Sequence, residues 1–227
     1  KTMTLIQDTL DAIRHQGKEA PDLDNLALTD PDTYDLYTRG DTDGVFQVES
    51  SGMRQYLRQL KPSCFEDVIA MLALYRPGPL GSGMVDEFIK RKHEVPVVYP
   101  LPMLEECLRD TYGVIVYQEQ VMQIAQIVAK YTLGGADLLR RAMGKKNPEA
   151  MAKERSTFVK GAADNGIPRE KADEIFDLME KFAEYGFNKS HSAAYALISY
   201  FTAFLKVHYK VEFMAALLTS EMGNQDK

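Results

Sequence analysis

Apolar side chains recur every three or four positions along most of this chain, the spacing of one face of an α-helix. Residues 4–16 place Leu5, Ile6, Leu10 and Ile13 together. After a stretch rich in Pro and Asp, Asp30-Pro31 supplies a start signal for a short helix through Tyr34, Leu36 and Tyr37 that stops near Gly40. Gly44-Val45-Phe46-Gln47-Val48 is short, β-branched and aromatic, and follows the turn Asp41-Thr42-Asp43-Gly44, so it is the predicted strand. Ser50-Ser51 can cap a helix carrying Met53, Tyr56, Leu57 and Leu60. Ser63-Cys64-Phe65-Glu66 matches a capping box ahead of Val68, Ile69, Leu72 and Leu74. Arg76-Pro77-Gly78-Pro79 ends that helix in a rigid loop and should hold Tyr75 and Arg76 in a fixed direction.

Residues 84–92 read as a short helix and residues 95–102 as an extended, Pro-broken stretch. Residues 118–131 form an amphipathic helix through Val121, Met122, Ile124, Ala125, Ile127 and Val128. Gly134-Gly135 is expected to break the chain before a short helix over 136–143, closed by Gly144. Asn147 caps a helix with Pro148 at its first position, which runs to about residue 164. Gly166 stops it, Pro168 opens the next, and Tyr185-Gly186 ends that one. Helices over 192–209 and 212–222 complete an all-α or mainly α domain of about ten helices, with no internal repeat.

Composition narrows the class. The 227 residues are 45% apolar and 26% charged, a soluble globular profile. The longest uncharged apolar run, residues 192–205, is 14 long. That falls short of the ~20 needed to span a bilayer and suits a core helix. The start lacks the features of a signal peptide, and its opening Lys is expected of a piece of a longer protein. Cys64 and Cys107 lie in apolar helical contexts without partners at metal-ligand spacing and read as reduced core thiols. His15, His93, His191 and His208 are scattered, which argues against a zinc site.

Charge changes the picture more. Between residues 130 and 160 stand eight cations (Lys130, Arg140, Arg141, Lys145, Lys146, Lys153, Arg155, Lys160) and three acids (Asp137, Glu149, Glu154), a local +5. With −6 overall, the rest of the chain carries −11. An acidic body with one basic segment suits a protein that meets a polyanion at one place, although a solvated helix face has the same signature.

Two segments could hold an anion. In Phe187-Asn188-Lys189-Ser190-His191-Ser192-Ala193-Ala194-Tyr195-Ala196 a polar, cationic loop enters an apolar helix, with Asn188, Ser190 or Ser192 available as the N-cap. Phosphate would fit beside those amides with Lys189 and His191 adjacent; an ordinary capped helix whose Lys and His face water is the plainer reading. In Leu138-Leu139-Arg140-Arg141-Ala142-Met143-Gly144-Lys145-Lys146 two adjacent arginines diverge by ~100°, which suits an extended ligand such as a triphosphate or a nucleic-acid backbone. Exposed RR and KK pairs are also common. No Asp-x-Asp pair, Walker loop, Gly-x-Ser-x-Gly elbow or dinucleotide fingerprint occurs, so catalytic chemistry is not evident; Glu49, Glu119 and Asp137 merely lie near the motifs. Tyr117-Gln118-Glu119-Gln120-Val121-Met122 suits capping and packing. Tyr195, Tyr200, Phe201 and Phe204 could stack on bases but fit a core equally.

Five segments in order resemble one family, the bacterial replicative DNA polymerase III alpha subunits (family C). They are residues 43–50 (DGVFQVES), 74–80 (LYRPGPL), 117–122 (YQEQVM), 131–146 (YTLGGADLLRRAMGKK) and 185–195 (YGFNKSHSAAY), and they span nearly the whole chain. The wording around Ser190 and Ser192 resembles alpha subunits without an embedded exonuclease. The resemblance implies a mainly α, irregular multi-helix fingers domain with one or two short strands near the N-terminus. Residues 1–42 would connect it to a preceding palm and residues 43–227 would be the fingers, continuing in the parent.

It further implies that Arg140 and Arg141, with Lys145 and Lys146 nearby, contact the triphosphate of an incoming deoxynucleotide, and that Asn188, Lys189, Ser190 and His191 lie against it or the nascent base pair. Arg76, Lys153 and Arg155 are assigned to DNA. The Mg2+ ions would sit on palm carboxylates outside this chain, which alone should be inactive. Implied partners are the deoxynucleoside triphosphate, primer-template DNA and, through the parent, replisome subunits such as the sliding clamp and clamp-loader-linked proteins, in the cytoplasm and not at a membrane. Lys210 stands where relatives commonly have proline, so a softer break between the last two helices is expected. A non-catalytic helical nucleic-acid-binding or replisome interaction module is the alternative.

Overall fold

The computed structural model describes residues 1–94, 96–145, 148–183 and 185–222. Its helices are α1 (Thr2–His15), α2 (Pro31–Arg39), α3 (Ser51–Leu60), α4 (Phe65–Leu74), α5 (Pro77–Gly81), α6 (Met84–His93), α7 (Glu105–Leu108), α8 (Gln118–Ala129), α9 (Leu133–Lys145), α10 (Pro148–Ala163), α11 (Arg169–Ala183), α12 (Lys189–His208) and α13 (Lys210–Glu221). Among the described residues, the β-structure is a single parallel bridge between Tyr117 and Phe187. The expected mainly α class is therefore observed. The chain divides into two compact units, Lys1–Leu72 with Ala193–Lys227, and Ala73–Ser192.

In the first unit, Leu5, Ile6, Leu10 and Ile13 of α1 pack with Leu205, Phe213 and Ala216. The predicted caps form: Asp30 Oδ2 accepts from the Thr33 amide at 2.9 Å, and the Ser50 hydroxyl accepts from Met53 at 3.2 Å. Gly40 closes α2 with φ of 66°. The side chain that reaches back at the start of α4 is not Glu66 but Asp67, which accepts from the Ser63 amide at 2.9 Å.

The predicted strand at 44–48 is instead a pair of turns. Gly44 and Gln47 take φ of 76° and 67°, left-handed values that an extended strand does not permit. Several backbone polar groups in and just before this segment find partners without a ladder. Phe46 N–H donates to Thr202 Oγ1, the Thr42 hydroxyl donates to the Val48 carbonyl, and the buried Lys206 ammonium donates to the carbonyls of Asp41 and Asp43. Of the aromatic cluster, Tyr200 is fully buried and its hydroxyl accepts from Asp30 N–H, whereas Tyr195 is exposed and faces Phe46 at 5.4 Å. The break before α13 falls at Tyr209, with Lys210 as the first helical residue.

In the second unit, α8, α9, α10 and α11 share a core of Val121, Ile124, Val128, Leu139, Phe158 and Phe176, among others. Truncating a buried ring such as Phe158 to alanine typically costs about 3–5 kcal/mol. Gly134 and Gly135 do not break the chain: α9 begins at Leu133 and runs through them. Glycine is tolerated here because both lie in the first turn, and Thr132 Oγ1 accepts from Gly135 N–H at 3.1 Å. The end of α8 is tied to the end of α10, since Asn165 donates to the carbonyls of Ile127 and Val128 and Lys130 donates to that of Asp164.

Candidate functional site

The first turn of α8 organises the polar groups of the second unit. Buried Gln120 fixes it: its Oε1 accepts from the amides of Val116 and Tyr117 at 2.8 and 2.9 Å, and its Nε2 donates to the Cys107 carbonyl and Thr111 Oγ1. That leaves the adjacent Gln118 and Glu119 side chains to address two other elements.

Glu119 addresses the start of α12. Its carboxylate accepts from Asn188 Nδ2 at 3.0 Å and from the Lys189 amide at 3.1 Å. Asn188 is the cap, because its Oδ1 accepts from the His191 amide at 2.8 Å and its carbonyl from Ser192. The helix therefore begins at Lys189, three residues earlier than the expected start at 192. The anion at this helix N-terminus is the chain's own carboxylate, a placement that the helix dipole favours. Lys189 Nζ lies 3.6 Å from Asp110 and 5.4 Å from the Tyr117 ring. Asn188, Ser190 and His191 are exposed, and the His191 ring lies 5.5 Å from that of Phe187.

Gln118 addresses α9. Its Oε1 accepts from Arg140 Nη1 at 3.3 Å, and its Nε2 donates to the Gly186 carbonyl at 3.2 Å. Arg140 Nε and Nη2 both donate to Asp137 Oδ1, at 3.1 and 2.8 Å. Arg141 Nε lies 2.8 Å from the other oxygen, Oδ2. One carboxylate thus receives both guanidinium groups, so the two neighbours converge on a compact anion although they diverge along the helix. Asp137 sits three and four residues before them, on the face both can reach. Hydrogen bonding from Arg140 holds the Asp137 carboxyl below the ordinary carboxylate range. Arg140 is 24% exposed and Arg141 64%, so solvent reaches the second far more freely.

Arg76 holds the loop before α12 from another side. Its Nε donates to the Ala73 carbonyl and its Nη2 to that of Tyr185, both at 2.7 Å, and its guanidinium stacks 4.5 Å from the Phe187 ring. Arg76 does hold one direction, but through these contacts rather than a rigid loop, since residues 77–81 form the short helix α5. Arg155 stacks on Phe176 and reaches Asp173, Asp177 and Glu180 of α11. Lys145 and Lys153 are exposed, and Lys146 lies outside the described residues, as does the expected cap Asn147.

The sequence motifs at 140–141 and 186–191 are therefore brought to one turn of α8. The residues that join them, Gln118 and Glu119, had read as capping and packing groups. For Asp137 a signal existed in its i+3 and i+4 spacing to the arginines; for Glu119, 69 residues from Asn188, there was none.

Neither cysteine is poised for chemistry, since burial pushes both thiols up to about 11. Among the described residues, the grouping of His and carboxylates close enough to share a metal is Asp30, Asp32 and His208. It does not fit Mg2+, which prefers oxygen donors, because Asp30 already caps α2 and His208 offers a nitrogen.

Residues 2–166 match the family model described as the bacterial DNA polymerase III alpha subunit finger domain. The chain belongs to that family. It is 57% identical to DNA polymerase III subunit alpha of Haemophilus influenzae, and 55% identical to the proteins of that name from Pseudomonas aeruginosa and Escherichia coli K12. Each comparison covers 100% of this chain and 20% of the relative, so the chain spans about a fifth of those proteins' length. The family match contains the α8 turn and the α9 arginines, while the start of α12 lies beyond residue 166.

Proposed function

We propose that this finger domain grips the triphosphate of an incoming deoxynucleotide and contacts primer-template DNA within a bacterial replicative DNA polymerase. The observation that carries the reading is the shared carboxylate: Asp137 holds two guanidinium groups on one anion, the arrangement a phosphate oxygen could take over. Such preorganised donors cost little reorganisation when negative charge arrives or develops on the transferring group, so they contribute positioning and electrostatic stabilisation. Lys145 is an exposed cation at the end of the same helix, and Lys153 one on the next. The loop over Asn188, Lys189, Ser190 and His191 reaches the same α8 turn and would face the nucleotide or the nascent pair. Mg2+ would be supplied by carboxylates outside this chain and would carry the nucleotidyl transfer itself.

No described helix is long and apolar enough to cross a membrane, in keeping with a cytoplasmic replication protein. The parent would meet the sliding clamp and clamp-loader-linked subunits through other regions. The test is Arg140→Ala with Arg141→Ala in the full-length polymerase. The apparent nucleotide KM should rise by at least about tenfold, or turnover fall comparably, with the fold intact. Unchanged incorporation kinetics would sink the reading and leave a nucleic-acid-binding module, recognised by salt-steep DNA binding that ignores deoxynucleotide.

A further inference from the structure

The guanidinium of Arg140 is held on two sides by groups of different kind. Its Nε and Nη2, the edge that matches two oxygens of an anion, face Asp137. Its Nη1 faces Gln118, a neutral acceptor. An incoming phosphate oxygen can replace Asp137 because it offers the same charge, but it has no need to displace Gln118. The amide at 118 is also fixed in orientation. Arginine only donates and a backbone carbonyl only accepts, so one amide can satisfy both Arg140 and Gly186 in a single way, with Oε1 toward the first and Nε2 toward the second.

Gly186 contributes by having no side chain: a Cβ there would sit 3.3 Å from Gln118 Cγ. The carbonyl just before it, on Tyr185, is held by Arg76. Gln118 therefore links the direction of Arg140 to a loop that is itself held from behind.

We propose that Gln118 is the positioning residue for Arg140, anchoring Nη1 so that the Nε and Nη2 edge is presented to the triphosphate, and coupling that orientation to the loop at Gly186. The inference rests on the nucleotide role of Arg140 given above. Glutamate could not substitute, because its second oxygen would oppose the Gly186 carbonyl, and methionine fills the space without either bond.

The test uses the full-length polymerase with Gln118→Met, Arg140→Ala and the double variant, each assayed for nucleotide KM, kcat and primer-template affinity. Gln118→Met should raise the nucleotide KM by about five- to tenfold, the effect of losing a hydrogen bond of ordinary strength, as suits a long 3.3 Å contact, while primer-template affinity changes less than about twofold. In the Arg140→Ala background the same change should add less than about twofold, because a residue acting through Arg140 has nothing left to position. An unchanged KM in Gln118→Met, or effects that multiply in the double variant, would overturn the inference while leaving the role of Arg140 intact. An unchanged KM in Arg140→Ala would instead overturn the nucleotide reading, and the inference with it. Should Gln118→Met fail to fold, Gly186→Ala crowds Gln118 Cγ and shifts that side chain slightly while keeping every other side chain. It should raise KM in the same direction by about two- to threefold in the Arg140 background and not in Arg140→Ala.

Discussion

The arginines of α9 and α10 look alike in sequence and are opposites in structure. On α9 two guanidinium groups share one carboxylate, Asp137; on α10 one guanidinium, Arg155, is surrounded by Asp173, Asp177 and Glu180 and rests on Phe176. The first group has more positive than negative charge to offer, and the second has less. A count of cations along the chain, which gave both helices the same basic segment, does not distinguish them; their counter-charges do. Arg155, assigned to DNA on the resemblance, is built into the packing of α10 on α11, and a DNA role for it would require those ion pairs to open.

The contrast can be broken by substitution. Among the arginine substitutions Arg155→Ala should have the largest effect on folding, since it removes the stacking on Phe176 and leaves three carboxylates facing one another. With the groups only a third to two thirds exposed, a loss of about 1–2 kcal/mol is expected, a fall of a few degrees in Tm for a chain this size. Arg155→Ala should leave the nucleotide KM of the parent unchanged; a rise matching that of the α9 variants would erase the distinction. Arg141→Ala should do the reverse, shifting stability by less than about 0.5 kcal/mol in thermal melts.

The smallest effect is one of pH. The Asp137 carboxyl is held below its ordinary value by hydrogen bonds from Arg140, so its folded value lies under the unfolded one. Its contribution is present above the unfolded value and is lost as pH falls through the folded one. The stability gap between wild type and Asp137→Asn should accordingly hold steady down to about pH 5 and narrow as pH falls below about 4, read as denaturation midpoints across a pH series. A constant gap would mean that the carboxylate is not held by its arginines.

Much of the fold could be read locally. Asp30, Ser50 and Gly40 end or start helices through contacts within a few residues, and those contacts are observed. Gly134-Gly135 misled because a glycine pair signals a break only inside a helix, whereas the first turn tolerates it. The segment 44–48 misled because its side chains suit a strand while Thr202, the partner of its Phe46 amide, and Lys206, which holds the Asp43 carbonyl just before it, lie more than 150 residues away. The site divides the same way. The arginines and the loop at 188–191 were visible as chemistry, but Glu119, Gln118 and the acids around Arg155 acquire their roles only from packing across long sequence separations.

The shared carboxylate also bears on ionic strength. A bare pair of guanidinium groups in water gathers mobile anions, and a ligand that binds it sets them loose, which makes affinity fall steeply as salt is added. Here Asp137 is a counterion that cannot diffuse away. A ligand arriving at Arg140 and Arg141 exchanges with a tethered group and releases fewer ions to bulk, so its grip on this pair varies less with salt than two arginines would suggest.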